Sequence, residues 1–557
     1  MNKGIHWLDR IRRIDVRWWL VIGFVLMCCA YEYGRVFGSR PFPHHVSRQT
    51  ACLSMTWQIY VGGGGPFEPC LHNLFADGRT TGRSSAEFPG FYWLIAQVWK
   101  VTGPREDVYR LVMLLLHFTA TWCLFLGFRK LLRHAGWAVL VALFFFATPV
   151  LAYFGVAFMT DVPAFDLALI GCWVLFRRHP SQRVADVVIA ATLFTLAGLL
   201  KITALMAPLA LFIWSLLEWL PWMRPGRSGR VLPHKWATTI AFGAAFGVVW
   251  AWYTYSQAYN DLHGVSFSNS DIWPLWELPP DRARYCWEFG RDILVYQLFD
   301  TPAWCALWGM AAYVLVMHRH VSRSLAAITI LLAAGTVLYI LLWWVTLDAH
   351  EYYYINPLVT IVALIALFLD TLRRRHPAAL RSPIALGAFA LLVSYDTVYT
   401  ANNHEMRTRG DEPLSQVDLL PLYHDREYAF WDQFQNWSYR DMLDLEPYNR
   451  SIGIAPDDPV LVPEDESVCA ALYLMGQRGW AQFAQRFDDE ASVQERIDLG
   501  AAYLIVRDQN WLNKPHMQRF YAHPIGQHRS VRVFDLRPYR GPAWRAPRPW
   551  AEWRQGL

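Results

Sequence analysis

The sequence predicts a polytopic α-helical membrane protein of about eleven transmembrane helices, followed by a C-terminal extracytoplasmic α/β domain. Three observations carry that reading: the composition, the spacing of apolar runs and the placement of basic residues. Of 557 residues, 54% are hydrophobic and 16% aromatic, only 17% are charged, and the mean hydropathy is +0.16. Soluble domains are more polar than this. The net charge of +5 does not point to nucleic acid, because basic residues in a membrane protein chiefly set orientation.

Apolar runs recur at about 17–36, 107–128, 137–156, 161–176, 185–201, 203–223, 236–256, 302–317, 324–346, 353–370 and 383–400. Each is long enough, or nearly so, to cross a bilayer as a helix. The first follows Lys3, Arg10, Arg12, Arg13 and Arg17 and ends without a small-residue cleavage site, so it reads as an uncleaved span. Basic clusters then follow every second run: Arg129-Lys130 with Arg133, Arg177-Arg178 with Arg183, Arg224 to Lys235, Arg319 to Arg323, and Arg373 to Arg375. With the N-terminus inside, every cluster is cytoplasmic, and the odd number of spans leaves the C-terminus outside.

The expected division is a transmembrane domain over 1–400 and a soluble domain over 401–557. Two outer loops interrupt the first, at about 38–106 and 257–301. The first loop should carry interfacial helices near Ser47–Tyr60 and Phe88–Lys100. The second, with Asn269, Asp271, Trp273, Pro274, Trp276, Pro279 and Pro280, reads as aromatic loop. In the C-terminal domain the β-rich runs 460–462, 503–506 and 531–534 alternate with helical patterns at 468–476 and 491–499, as in a small α/β layer. Cys52 and Cys70 share the first outer loop, where an oxidising compartment would let them pair. Asn436-Trp437-Ser438 and Asn449-Arg450-Ser451 fit the N-glycosylation pattern, which arises often by chance.

Ionisable residues gather at the outer boundary of these spans. Glu87 precedes the second interfacial helix in Glu87-Phe88-Pro89, Arg110 opens the second span, Asp161 follows the third, Lys201 closes the fifth, and Asp348, His350 and Glu351 precede the tenth. His44, His45, Arg48 and Gln49 lie on the same side. A single charge at a helix end is ordinarily a solvated anchor; convergence is what needs a reason. Arg110 has a bland reading as a partner of Glu106 or Asp107, and Asp161 as a favourable charge at a helix N-terminus. His117, Asp166 and Glu218 fall inside spans, where partners within the bundle would satisfy them.

A carboxylate and several cations at this boundary suit transfer from a phosphate-activated lipid donor. The carboxylate deprotonates the acceptor hydroxyl, and Lys and Arg bind the phosphate as its charge grows. The expected catalytic residues are Glu87 and Asp161. The expected donor-phosphate or lipid contacts are Arg48, Arg110, Lys201 and His350, beside the aromatic run Tyr352-Tyr353-Tyr354 of an interfacial belt. A divalent metal is a candidate cofactor, with His45, Glu87 and His350 as candidate ligands, although the spacing matches no standard zinc pattern.

The ordered motifs resemble a family. His-x-x-Arg-Gln at 45–49, Glu-Phe-Pro at 87–89, Gly-x-x-Glu-x-x-x-Arg-Leu at 103–111, Asp161, Lys201 and His350-Glu351-Tyr352-Tyr353 are similar to bacterial C-type membrane glycosyltransferases. The nearest look is to family-39 enzymes, related to protein mannosyltransferases and the lipid A aminoarabinose transferase. The resemblance covers about residues 10–400. It implies an inverting hexosyl or pentosyl transfer from a polyprenyl-phosphate sugar to a lipid, glycan or protein acceptor, at the outer face of a bacterial inner membrane. It also implies that Glu87 acts in catalysis or metal binding, that Asp161 and Lys201 form an active-site pair, and that Tyr352–Tyr354 meet the lipid phosphate. One departure stands out: many relatives carry an Asp in the first interfacial helix where this chain reads Arg48-Gln49-Thr50-Ala51-Cys52. Glu87 or Asp161 then takes the role of base, or the activity has changed. The alternatives are a glycolipid transporter or flippase, which calls for broken helices and charges at mid-membrane, and a non-catalytic glycan-binding relative.

Overall fold

A computed structural model describes residues 15–41, 44–220, 230–265, 272–348, 350–409 and 439–542. Asn269, Asp271, the Asn436 triplet, Arg224 and the basic residues before Asp15 lie outside them.

Among the described residues, four helices are long and apolar enough to cross a membrane: Glu106–Leu132, Arg323–Leu342, Glu351–Arg375 and Pro383–Glu405. The last is the main part of a helix that runs on to Arg409, so the expected boundary at 400 falls inside a helix. Shorter apolar helices at Val16–Ala30, Ala135–Phe146, Val184–Leu200, Ile202–Glu218 and Thr301–Val316 pack with them. The expected span 137–156 is two helices, Ala135–Phe146 and Pro149–Phe154. Pro149 has no N–H to continue the first helix and instead starts the second at its first turn.

Both interfacial helices form, over Val46–Val61 and Gly90–Thr102. The second outer loop differs from expectation. Residues Pro280–Asp292 form a helix with Pro280 at its first turn, again the position where a missing N–H costs nothing. Cys52 and Cys70 remain thiols, as do all nine cysteines. Cys52 accepts a hydrogen bond from the Tyr92 hydroxyl, and Cys70 donates to the Gly63 carbonyl, so each faces a different neighbour.

The C-terminal domain is a five-stranded sheet in the order β2-β1-β3-β5-β4, with β1 Val460–Val462, β2 Gly479–Ala481, β3 Tyr503–Val506, β4 Pro524–His528 and β5 Val531–Asp535. Strand β1 runs parallel to β2 and β3, and β5 is antiparallel to β3 with Leu504 opposite Phe534. The runs β1 and β3 are buried on both faces, which is why they read as continuous apolar stretches rather than alternating ones. Asn449 of the second glycosylation triplet is fully buried.

The edge at β2 does not stay open. Leu74 donates to the Gly479 carbonyl at 2.7 Å and Gly479 donates to the His72 carbonyl at 3.2 Å, so the first outer loop pairs with β2. Only glycine fits there: a Cβ on Gly479 would lie 1.8 Å from the Val460 carbonyl oxygen. Asn73 holds the Val468 carbonyl at 2.9 Å, and Leu74 joins the apolar cluster around Trp480 and Phe487. A covered edge cannot recruit foreign strands. It also fixes the C-terminal domain over the outer loop that carries Arg48 and Glu87.

Candidate functional site

A cavity of about 420 Å³ opens where the outer loops, the bundle and the C-terminal domain meet. Its wall includes His45, Arg48, Glu87, Lys201, His350, Tyr352 and Tyr353 among the expected residues. Asp161 and Arg110 are not on it.

Local structure explains the placement of Glu87. The chain bends at Glu87, and the Phe88 N–H donates to the Leu199 carbonyl at 2.9 Å, pinning the segment to the end of the helix Val184–Leu200. Trp252 and Ser256, from the helix Lys235–Leu262, both donate to the Ala86 carbonyl, at 3.2 and 3.1 Å. The Glu87 carboxylate is therefore held from two helices. Its Oε1 accepts from Arg48, from the Tyr92 hydroxyl and, at 3.3 Å, from the Thr160 hydroxyl. Among the described residues, Oε2 has no such partner. Burial pushes this carboxyl up, but Arg48 and the hydrogen bonds outweigh it and hold the pKa at about 2. Glu87 is ionised at any physiological pH. Arg48 is correspondingly raised well above its ordinary value: burial lowers it, and Glu87 more than restores it.

Lys201 sits where the helix Val184–Leu200 ends, with an extended backbone that turns its side chain to the cavity. Its ammonium lies 4.5 Å from the Tyr353 ring centre and 5.5 Å from that of Tyr352. Asp161 Oδ1 is 3.0 Å away, an ion pair whose angles fall short of a hydrogen bond. Asp161 is fully buried at the start of its helix, behind Lys201 rather than beside the cavity. The expected Asp–Lys pair is formed, and only the lysine reaches the opening.

Arg110 takes neither of its expected partners. Its guanidinium donates to the carbonyls of Phe37, Ser39, Arg40 and Val156 and lies over the Phe158 ring at 4.2 Å. Glu106 pairs with Arg40 instead, and Asp107 with Arg105. Arg110 is thus a clamp that closes the chain between the first helices and the outer loop. His117 Nδ1 and Asp166 Oδ1 pair at 2.8 Å, leaving His117 Nε2 and Asp166 Oδ2 buried without a hydrogen-bond partner among the described residues, and Glu218 accepts from Trp214, Val231 and Ser324.

The metal expectation meets a different geometry. His45, Glu87 and His350 do not converge; Glu87 is bound to Arg48, and the rings of His45 and His350 are 5.9 Å apart. The group whose ligand atoms do converge is His44, His45 and Glu351, all within 4.8 Å. There the Glu351 carboxylate already accepts from His44 Nε2, from His45 Nε2 at 3.0 Å and from Arg407 at 3.1 Å. An ion held there would take the two imidazole nitrogens and the carboxylate as ligands and would sit beside the Arg407 guanidinium. Burial pushes the His44 imidazole down to about 3, against the pull of Glu351, and lowers His45 as well, so both act as neutral donors.

Several wall residues carry no signal in the sequence. Tyr92 was visible one turn after Glu87-Phe88-Pro89, and Trp273 as part of an aromatic loop. Val468 and Phe483 come from the C-terminal domain, over 400 positions from Arg48, and nothing in their local pattern marks them.

Residues 86–252 match the family described as Dolichyl-phosphate-mannose-protein mannosyltransferase. The crystal structure of ArnT from Cupriavidus metallidurans in the apo state superposes with a TM-score of 0.57 at 11% identity, over 94% of this chain and 99% of that one. The same protein bound to undecaprenyl phosphate gives a TM-score of 0.55 at 10% identity, with the same coverage. The chain has the fold of that protein. It is a multi-pass membrane protein, with four helices among the described residues long and apolar enough to cross a membrane. No curated protein matches it in sequence. The family match begins at Ala86 and ends at Trp252, so it spans Glu87, Asp161 and Lys201 and leaves out Arg48, His350 and the C-terminal domain.

Proposed function

We propose that the protein transfers a sugar from a polyprenyl-phosphate donor to a hydroxyl acceptor in the cavity beneath its C-terminal domain, at the extracytoplasmic face of a bacterial inner membrane. The observation that carries this reading is that two cations, Arg48 and Lys201, and the Glu87 carboxylate, bound to Arg48 through one oxygen and open at the other, line one cavity. The donor phosphate lies against Lys201 and the Tyr352–Tyr353 rings. The acceptor oxygen attacks the anomeric carbon opposite the phosphate, so the new bond forms as the old carbon–oxygen bond breaks and the configuration inverts. The electron pair leaves on the phosphate, where Lys201 and Arg48 offset the growing charge. Glu87 Oε2 takes the acceptor proton late in the step and releases it to water, as befits so acidic a carboxyl.

This assignment also accounts for the missing Asp of the first interfacial helix. Arg48 on that helix binds Glu87, so the base comes from the next segment and the helix supplies its counter-ion. The test is consumption of a polyprenyl-phosphate sugar by the purified protein, compared with Lys201→Ala and Glu87→Gln. Full turnover by both variants would remove the basis for the reading.

A further inference from the structure

At the opposite end of the helical bundle lies a second cavity, of about 630 Å³, larger than the one beneath the C-terminal domain. The helices Glu106–Leu132, Asp161–Phe176 and Val359–Arg375 bring their C-terminal ends to this second cavity, through Lys130, Phe176 and Arg373. Its depth is apolar, with Leu169, Trp173, Ile328, Leu332 and Val362 on the walls. Its mouth is basic: Lys130, Arg133, Arg373 and Arg374 line it, against a single carboxylate, Asp370.

The four cations are held differently. Lys130 donates to the carbonyls of Phe176, Arg177 and His179 at 2.8–2.9 Å, so it caps a neighbouring helix end and keeps its charge at the mouth. Arg373 and Arg374 each give one nitrogen to buried Asp370, both at 2.8 Å. The Arg373 Nε–H is buried without a hydrogen-bond partner. Arg133 follows the helix end in a left-handed conformation, is exposed, and has no acidic partner among the described residues. One carboxylate cannot neutralise this group, and donors remain open on it.

We propose that this cavity binds an anionic phospholipid, with its phosphate among Arg133, Arg373 and Lys130 and an acyl chain between the helices. The charge excess selects an anionic head over a zwitterionic one, and the apolar depth selects a lipid over free phosphate. The site is independent of the sugar-transfer reading.

The experiment uses the full-length protein purified in mild detergent, with bound lipids counted by native mass spectrometry after addition of phosphatidylglycerol or phosphatidylcholine. Phosphatidylglycerol should be retained at least about fivefold over phosphatidylcholine, the order expected for one cation beside an anionic head group. The double variant Arg133→Gln/Arg373→Gln should bring the two lipids to parity. Ala366→Trp, which fills the cavity and leaves the rim charges in place, should lower retention of phosphatidylglycerol. Equal retention of both lipids by the wild type overturns the proposal, as does unchanged retention by both variants. Displacement of phosphatidylglycerol by inorganic phosphate, or by an equal amount of undecaprenyl phosphate, overturns the choice of ligand.

Discussion

Glu87 beside the cavity and Glu464 in the C-terminal domain are buried to the same degree, each with 7% of its side chain exposed, yet they are driven in opposite directions. Glu87 is held at about 2 and Glu464 is pushed up to about 7. Burial raises both. The difference is the partner: Glu87 has the Arg48 guanidinium in contact, whereas Glu464 accepts backbone N–H bonds from Arg507 at 3.0 Å and Asp508 at 2.5 Å, with the Arg507 guanidinium no nearer than 4.0 Å. Two or three amide dipoles do not replace one full charge at contact distance. An acid that is buried but charged costs free energy unless a cation is placed for it, and the outer loop places one at the cavity.

The largest expected effects are on turnover. Glu87→Gln and Lys201→Ala should each reduce consumption of a polyprenyl-phosphate sugar by about 10²–10³-fold, the size usual for losing a base or a charge-stabilising donor. Glu464→Gln should leave it within about twofold, since that residue touches no cavity wall. Comparable losses from Glu87 and Glu464 variants would show that both act through folding.

Next in size is the sealed counterpart of the Glu87 pair. Glu351 and Arg407 are both fully buried, so Glu351→Ala leaves a guanidinium without its carboxylate and should cost about 3–5 kcal/mol of stability. Thermal unfolding of the detergent-solubilised protein reads this. Arg48→Ala should cost less, about 2 kcal/mol, because the Arg48 side chain is 23% exposed and water reaches the site. Equal losses at the two positions would erase the distinction between a closed structural pair and one that faces a ligand.

The pH dependence separates the two glutamates by its sign, which is opposite for the two. The folded pKa of Glu87 lies below its ordinary 4.5, so its contribution is full above about pH 4.5 and is lost as the pH falls towards 2. The folded pKa of Glu464 lies above 4.5, so its contribution is full below about pH 4.5 and is lost as the pH rises to 7. Unfolding midpoints measured across pH should show the fall between 4.5 and 7 vanish in Glu464→Gln, and the fall below 4.5 diminish in Glu87→Gln. A slope of the same sign in both would contradict the roles given to their partners.

Much of the architecture was legible in the chain because its causes are local. Apolar runs of bilayer length, the turn at Glu87-Phe88-Pro89 and the β-rich runs at 460–462 and 503–506 depend on residues within one element. The split of 137–156 at Pro149 and the helix beginning at Pro280 were also local, and both follow from proline's missing N–H. The sequence by itself determined a membrane bundle, two interfacial helices and a small α/β domain, with charges gathered at one boundary.

Only the tertiary structure decided which of those charges face a cavity. Arg48 rather than Arg110 meets Glu87, Asp161 stands behind Lys201, and Glu351 closes on His44, His45 and Arg407, the first of them 307 positions away. The C-terminal domain reaches the cavity through Val468 and Phe483, and its β2 edge is paired to the loop at His72–Leu74. Ionic pairing and cavity lining are set by contacts between distant segments. No periodicity or spacing encodes them, since a charge has the same local pattern whether its partner is solvent, a carbonyl or another charge.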